Sequence, residues 1–210
     1  MSRPDIVLNV RLVFPTLLLT VPVSAMLKTD EKRALLQIAR NAIRTTFHDS
    51  EPDRPPDECP GLDQAAGVFV SLRLNGKLRG CVGLIETDRP LRDAVGEVAR
   101  KAAFEDPRFP PLTVSELENT EFEVSILSQI QPLKSLDDIQ VGLHGVIVES
   151  EMHKGLLLPH IAVECGWSRE ELISALLRKA GLPSTAATEP GTRFFLFHTE
   201  RVVERGRELA

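Results

Sequence analysis

Gly67-Val68-Phe69-Val70-Ser71-Leu72-Arg73-Leu74, then Asn75-Gly76, then Lys77-Leu78-Arg79-Gly80-Cys81-Val82-Gly83-Leu84: in this stretch two β-rich runs meet at an Asn-Gly pair. Asn-Gly suits a type I′ hairpin turn, because both of its central residues need positive φ. A two-residue loop sets a register in which Val70 faces Cys81, Leu72 faces Arg79 and Ser71 faces Gly80. Side chains alternate along a strand, so Arg79, Cys81 and Gly83 share one face while Leu78, Gly80 and Val82 share the other. A guanidinium two residues along the same face favours the thiolate of a cysteine. Glycines around a cysteine leave clearance for another group to approach the backbone. A free cysteine is also a common small buried hydrophobe, so the residues alone leave both roles open for Cys81.

The chain has 210 residues, enough for one domain or two closely joined subdomains with a real core. Its net charge is −5 and it has no dense cluster of Lys and Arg, which disfavours a surface that tracks nucleic-acid phosphates. With no tyrosine and one tryptophan, a base-stacking platform is poorly supplied. Cys59, Cys81 and Cys165 are odd in number and have no CxxC spacing. They fit a reducing cytoplasm better than a disulfide framework or a paired-cysteine zinc site.

Residues 1–25 read as an extension. The apolar run from Ile6 to Val23 is interrupted by Asn9, Arg11, Pro15 and Pro22, too broken for a membrane span. It is a weak match to a secretory signal, and the simpler expectation is translation from Met26. From Thr29, with Thr29 or Asp30 as N-cap, helical spacing places Leu35, Ile38, Ala39, Ala42 and Ile43 on one face. Ser50 to Gly61 is rich in proline and acidic residues, a surface loop in which Cys59 is incidental.

After the hairpin, Thr87 or Asp88 caps a helix with Pro90 in its first turn and a stripe of Leu91, Val95, Val98 and Ala102. Asp106-Pro107-Arg108-Phe109-Pro110-Pro111 follows as a stiff connector, and Thr113 to Glu116 matches a capping box. Glu121 to Ser128 alternates as a half-buried strand that rejoins the hairpin's sheet, with Glu121 and Glu123 on a solvated face. Gln131 to Ile139 is loop with one helical turn. Leu143 to Glu149 and Gly155 to Leu158 are strands, and Pro159 opens a short helix ending at Gly166. Ser168 to Glu171 is a second capping box, whose helix stops at Gly181. Arg193 to His198 is a Phe-rich strand, after which the charged terminus frays.

Among the chemical arrangements, Cys81 as nucleophile needs a histidine base distant in sequence, and His144, flanked by glycines, is the most accessible. His160 and Glu164 stand four apart on a helix, but such pairs are common on solvated faces, and no metal site is expected. No phosphate-binding glycine loop is present, and no cofactor is expected.

At Leu78-Arg79-Gly80-Cys81-Val82-Gly83 the chain resembles the AMMECR domain family, whose hexapeptide has isoleucine where Val82 stands. Ala103 and Phe104 with Asp106, Arg108, Phe109, Pro110 and Pro111 resemble its second signature. Val141 to Val146 is similar to its Gly-x-His-Gly strand, and Leu157 to Gly181 to its C-terminal block. The likeness runs from about Met26 to about Phe197.

The resemblance implies an α+β fold over 26–203, with two subdomains, each an antiparallel sheet with packed helices, and the hexapeptide facing a cleft between them. For prokaryotic members it implies association with Memo-like and radical SAM proteins. Two functions are therefore carried forward. In the first, Cys81 is a thiolate in an enzyme acting on a protein or other large substrate. His144 is its base, Arg79 its activator and Glu164 an orienting group, while Leu78, Gly80, Val82, Gly83, Asp106 and Arg108 line the binding site. In the second, the same hexapeptide is packing in a non-catalytic interaction module. Arg79 discriminates between them, since packing does not require a charge beside the sulfur.

Overall fold

The structure, a computed structural model, describes residues 9–10, 27–47, 59–151 and 153–204. The expectations for most of residues 1–25, for most of the Pro-rich loop and for the last residues of the chain fall outside that range. The fold is α+β, in two compact units: one is Leu127–Thr199, the other is drawn from Leu8–Ile126 and Glu200–Ala210.

The hairpin unit is a five-stranded sheet in the order β1-β3-β2-β4-β9. Its strands are β1 (Asn9–Val10), β2 (Val68–Leu74), β3 (Lys77–Leu84), β4 (Thr120–Leu127) and β9 (Thr199–Val203). The helices are α1 (Thr29–Phe47), α2 (Leu91–Phe104) and α3 (Val114–Leu117). β4 pairs antiparallel with β2, so the strand does rejoin the hairpin's sheet. β1 pairs in parallel with β3, at Val82 and Gly83. The apolar stripes of α1 and α2 meet Val68, Val70, Leu72, Val82, Phe122 and Val124 in one core. Removing these side chains from water is the main stabilising term.

Several expectations change here. Cys59 is buried in that core beside the helices rather than incidental on the surface. Residues Thr199–Val203, expected to fray, form a strand that closes the sheet next to β4. Glu123 is 3 % exposed, not solvated, and its Oε2 accepts from Arg201 Nη2 at 2.5 Å. Neither Thr29 nor Asp30 caps α1, because both lie inside it. Glu31 closes its first turn instead, its carboxylate accepting from the N–H of Lys28 and of Gly61, each at 2.8 Å. Nor is α2 capped by Thr87 or Asp88: Pro90 holds the cap position, and the N–H of Leu91 donates to Gln64 O at 2.9 Å.

The second unit is a four-stranded antiparallel sheet in the order β5-β8-β6-β7. Its strands are β5 (Gln131–Pro132), β6 (Gly145–Ser150), β7 (His153–Leu157) and β8 (Arg193–Phe197). Helices α4 (Pro159–Glu164) and α5 (Arg169–Lys179) complete it, with α5 packed on β6 and β7. The expected capping box at Ser168 and Glu171 starts α5, and Gly181 follows its end at a φ of 73°. No helix among the described residues is long and apolar enough to cross a membrane.

Candidate functional site

The turn is the one expected: Asn75 and Gly76 have φ of 52° and 73°, and Leu74 pairs with Lys77. The register beyond it is not. Arg73 pairs with Leu78 but Leu72 pairs with Gly80, so Arg79 is an extra residue in a β-bulge. Cys81 therefore faces Ser71, not Val70, and Val70 faces Val82. Beside the bulge a glycine is required at position 80, because a Cβ there would lie 2.1 Å from the Ala102 carbonyl oxygen of α2. Gly83 likewise makes room for the ring of Phe69, 2.1 Å from where its Cβ would be.

The charge expected beside the sulfur is bonded elsewhere. The Arg79 guanidinium is turned to the connector and to α3, with Nε and Nη2 donating to Glu116 at 2.9 and 3.1 Å and Nη1 to Pro110 O at 2.8 Å. Glu116 also closes the capping box with Thr113. Hydrogen bonds from Arg79 and then from Thr113 hold its carboxyl far down, at a pKa of about 2. A capping residue thus serves as the anchor of the hexapeptide's charge. The sequence pattern revealed only the first of these roles.

Cys81 is 5 % exposed, and its Sγ accepts a hydrogen bond from Ser71 Oγ at 3.2 Å. Its peptide groups are held by side chains. Asp106 Oδ2 accepts from Cys81 N–H at 2.8 Å, and Arg108 Nη2 donates to Cys81 O at 3.2 Å. The two holders are also paired with each other, Arg108 Nε to Asp106 Oδ1 at 2.9 Å and Nη2 to Oδ2 at 2.6 Å. Burial pushes the Asp106 carboxyl up, but the hydrogen bonds from Arg108 and Cys81 outweigh it, and its pKa lies below the usual carboxylate value. The structure thus brings Asp106 and Arg108 to Cys81, as the expected site requires, and adds Ser71, which the simple register had turned toward Gly80. Leu78 is half-buried on β3, and Val82 belongs to the helix-covered core.

His144 and Glu164 belong to the other unit. His144 lies just before β6, not in it, within a turn closed by its own N–H donating to Gln140 O at 3.0 Å. Its Nδ1 accepts from Gln140 N–H at 3.1 Å, which leaves the proton of the neutral ring on Nε2. Burial and then His198, whose ring is 5.1 Å away edge to face, lower its pKa, while Asp138 opposes the shift. Around this turn the surface is apolar: Val141 and Leu143 are 37 % and 48 % exposed, and Val163 is 60 % exposed. Val163 lies against the turn, 2.9 Å from where a Cβ of Gly142 would stand, and Gly142 has a φ of 85°. Glu164 is exposed at the end of α4. Its neighbour Cys165 has its thiol pKa raised by burial and by the Glu164 charge, the opposite of activation. Among the described residues no group of three or more His, Cys, Asp or Glu side chains is arranged to hold a metal ion.

Comparison with known proteins bears on the same residues. The model of the AMMECR1 family matches residues 36–202. A protein of Methanothermobacter thermautotrophicus is 43 % identical over 189 residues, covering 87 % of this chain and 98 % of the relative. One from Thermofilum pendens is 37 % identical over 195 residues, covering 85 % and 92 %. The crystal structure of an uncharacterized protein from Pyrococcus horikoshii is similar with a TM-score of 0.78 and 34 % identity, covering 83 % of this chain and 92 % of that one.

Proposed function

The chain belongs to the AMMECR1 family, and from that premise we propose that it acts as a non-catalytic interaction module whose cysteine hexapeptide is part of the framework. The observation that carries this reading is the engagement of Arg79 by Glu116, Pro110 and Pro111, which gives the motif's charge a structural task away from the sulfur. Gly80 and Gly83 admit a helix carbonyl and a phenyl ring, and Asp106 with Arg108 holds the Cys81 peptide groups. The docking surface is the apolar turn of Val141 and Leu143 with Val163. Its partner is a Memo-like or radical SAM protein, the association that the family resemblance suggests. The test is co-elution of the purified chain with such a protein on size exclusion. Leu143→Asp should abolish co-elution, and equal co-elution of the variant would refute the surface.

One contact favours a second reading, in which Cys81 is a thiolate nucleophile with His144 as base and Glu164 as orienting group. The Ser71 hydroxyl donates to its sulfur, and a donor of that kind stabilises the charged form. The rate of Cys81 alkylation against pH separates the two. The module predicts an inert thiol, or one titrating near the free value of about 8.5. The enzyme predicts a lower value that rises in Ser71→Ala and in His144→Ala.

A further inference from the structure

Among the described residues, five large apolar side chains are exposed: Val114, Val141, Leu143, Val163 and Val203. Three of them, Val141, Leu143 and Val163, gather at the turn before β6, where the Val163 side chain lies against Gly142. Scattered exposed apolar residues are ordinary, but a cluster of them marks an interaction surface. The turn that carries the cluster is fixed. The N–H groups of Leu143 and His144 both donate to Gln140 O, at 3.2 and 3.0 Å, and His144 Nδ1 accepts from Gln140 N–H at 3.1 Å. Leu143 is thus presented before any partner arrives, and little conformational freedom is lost on contact.

The charge around the cluster has one sign. Residues 136–144 and 159–170 carry Asp137, Asp138, Glu164 and Glu170 against a single Lys or Arg, Arg169. Arg169 is shared between Asp137 at 2.9 Å and Glu170 at 3.5 Å. Asp138 and Glu164 are exposed and flank the apolar residues. The Asp138 charge reaches His144, next to Leu143, and the Glu164 charge reaches Cys165, two positions from Val163. An acidic rim of this kind repels nucleic acid and anionic lipid headgroups, and a second copy of the chain would bring the same carboxylates face to face.

We propose that the occupant of this surface is a basic amphipathic segment of the partner, with aliphatic side chains covering Val141, Leu143 and Val163 and with lysines or arginines meeting Asp138 and Glu164. The inference rests on the docking role given to this turn above and adds the chemistry of what docks there. Apolar contact supplies the affinity, since each water-exposed rim charge contributes little, while the charges select the partner and speed its approach. Every residue invoked lies within Leu127–Thr199.

The test uses the intact chain and two synthetic peptides with leucine at the same positions, the remaining positions being lysine in one and glutamate in the other. The lysine peptide should bind roughly tenfold more tightly or better. Its amide chemical-shift changes should cluster at 138–144 and 161–166. Leu143→Ser should weaken it roughly tenfold. Asp138→Asn combined with Glu164→Gln should weaken it roughly threefold to tenfold. Glu118→Gln, an exposed carboxylate of the hairpin unit, should change nothing. These amides match the carboxylates in shape at exposed positions, so the double variant separates charge from folding. Equal affinity for the two peptides, shift changes elsewhere, an unaltered double variant, or self-association through the same residues would each overturn the proposal. If a Memo-like or radical SAM protein loses co-elution with Leu143→Asp but keeps it with the double variant, the basic segment is wrong and the docking surface stands.

Discussion

Asp106 and His144 both have pKa values below their ordinary ones, yet the two shifts describe opposite kinds of structure. Asp106 is held charged: burial alone would neutralise it, and the Arg108 and Cys81 donors prevent that. His144 is held neutral, by burial and by the neighbouring His198, against the pull of Asp138. The first is a fixed joint that keeps its charge below the pH at which a free aspartate would take up a proton. The second is a surface turn that stays neutral below the pH at which a free imidazole would take one up. A site residue recognised from sequence can belong to either kind, and the surrounding donors decide which.

The comparison breaks most sharply if the joint is opened. Asp106→Ala leaves the half-buried Arg108 cation and the Cys81 N–H without their acceptor, and should reduce unfolding free energy by about 3 kcal/mol, read from urea denaturation. A loss no larger than that of an ordinary surface change would mean the joint is not a framework. Next comes Gly80→Ala, which drives a methyl into the Ala102 carbonyl and should lower stability by about 2–3 kcal/mol without changing Cys81 alkylation by a denaturant-free route.

Thr113→Ala removes one half of the capping box that positions Glu116, with an expected loss of about 1 kcal/mol in the same denaturation measurement. Glu116 itself sets an acid signature. Its folded value is depressed, so its contribution is complete above the unfolded value of about 4.3 and disappears as pH falls toward about 2. An Arg79→Ala chain should lose the larger share of that acid dependence, the share due to the Thr113 hydrogen bonds remaining, which a pH series of thermal midpoints would reveal.

The smallest effect is at the turn. His144 has a lowered folded value, so the unfolded chain takes up the proton first. Stability should therefore decline by less than about 1 kcal/mol as pH falls below the unfolded value of about 6.5. His198→Ala should flatten the decline. Hydrogen exchange of the Gln140 amide would follow the same change locally, because a proton on Nδ1 removes the acceptor of that N–H.

Local chemistry was legible in the sequence wherever the partners were neighbours. The Asn75-Gly76 turn and both capping boxes involve residues within four positions of each other, and propensity plus side-chain reach is enough to place them. The strand at β4 was legible as well, from its hydrophobic period, while the α+β class came from the family resemblance. What escaped depends on distant approach. The bulge at Arg79 breaks the simple register, and the approach of the Ala102 carbonyl of α2 to Gly80 beside it is something no alternation pattern contains. Glu123 looked solvated because Arg201, 78 positions away, was not visible as its partner. Ser71 was turned to the wrong neighbour by the same missing residue of register, and His198 beside His144 had no local signal at all.

The clamp on the Cys81 peptide groups has a consequence for how molecules of this protein meet one another. β3 lies toward one margin of its sheet, where, among the described residues, the two-residue β1 alone adds to it, at Val82 and Gly83. Such a margin offers free N–H and C=O groups to any extended chain, and that is the chemistry of strand-by-strand self-association. Asp106 and Arg108 take up those groups at Cys81 and surround them with full charges. A second copy pairing there would have to displace an ion pair whose carboxylate is buried, so the clamp shields β3 from acting as a template for aggregation.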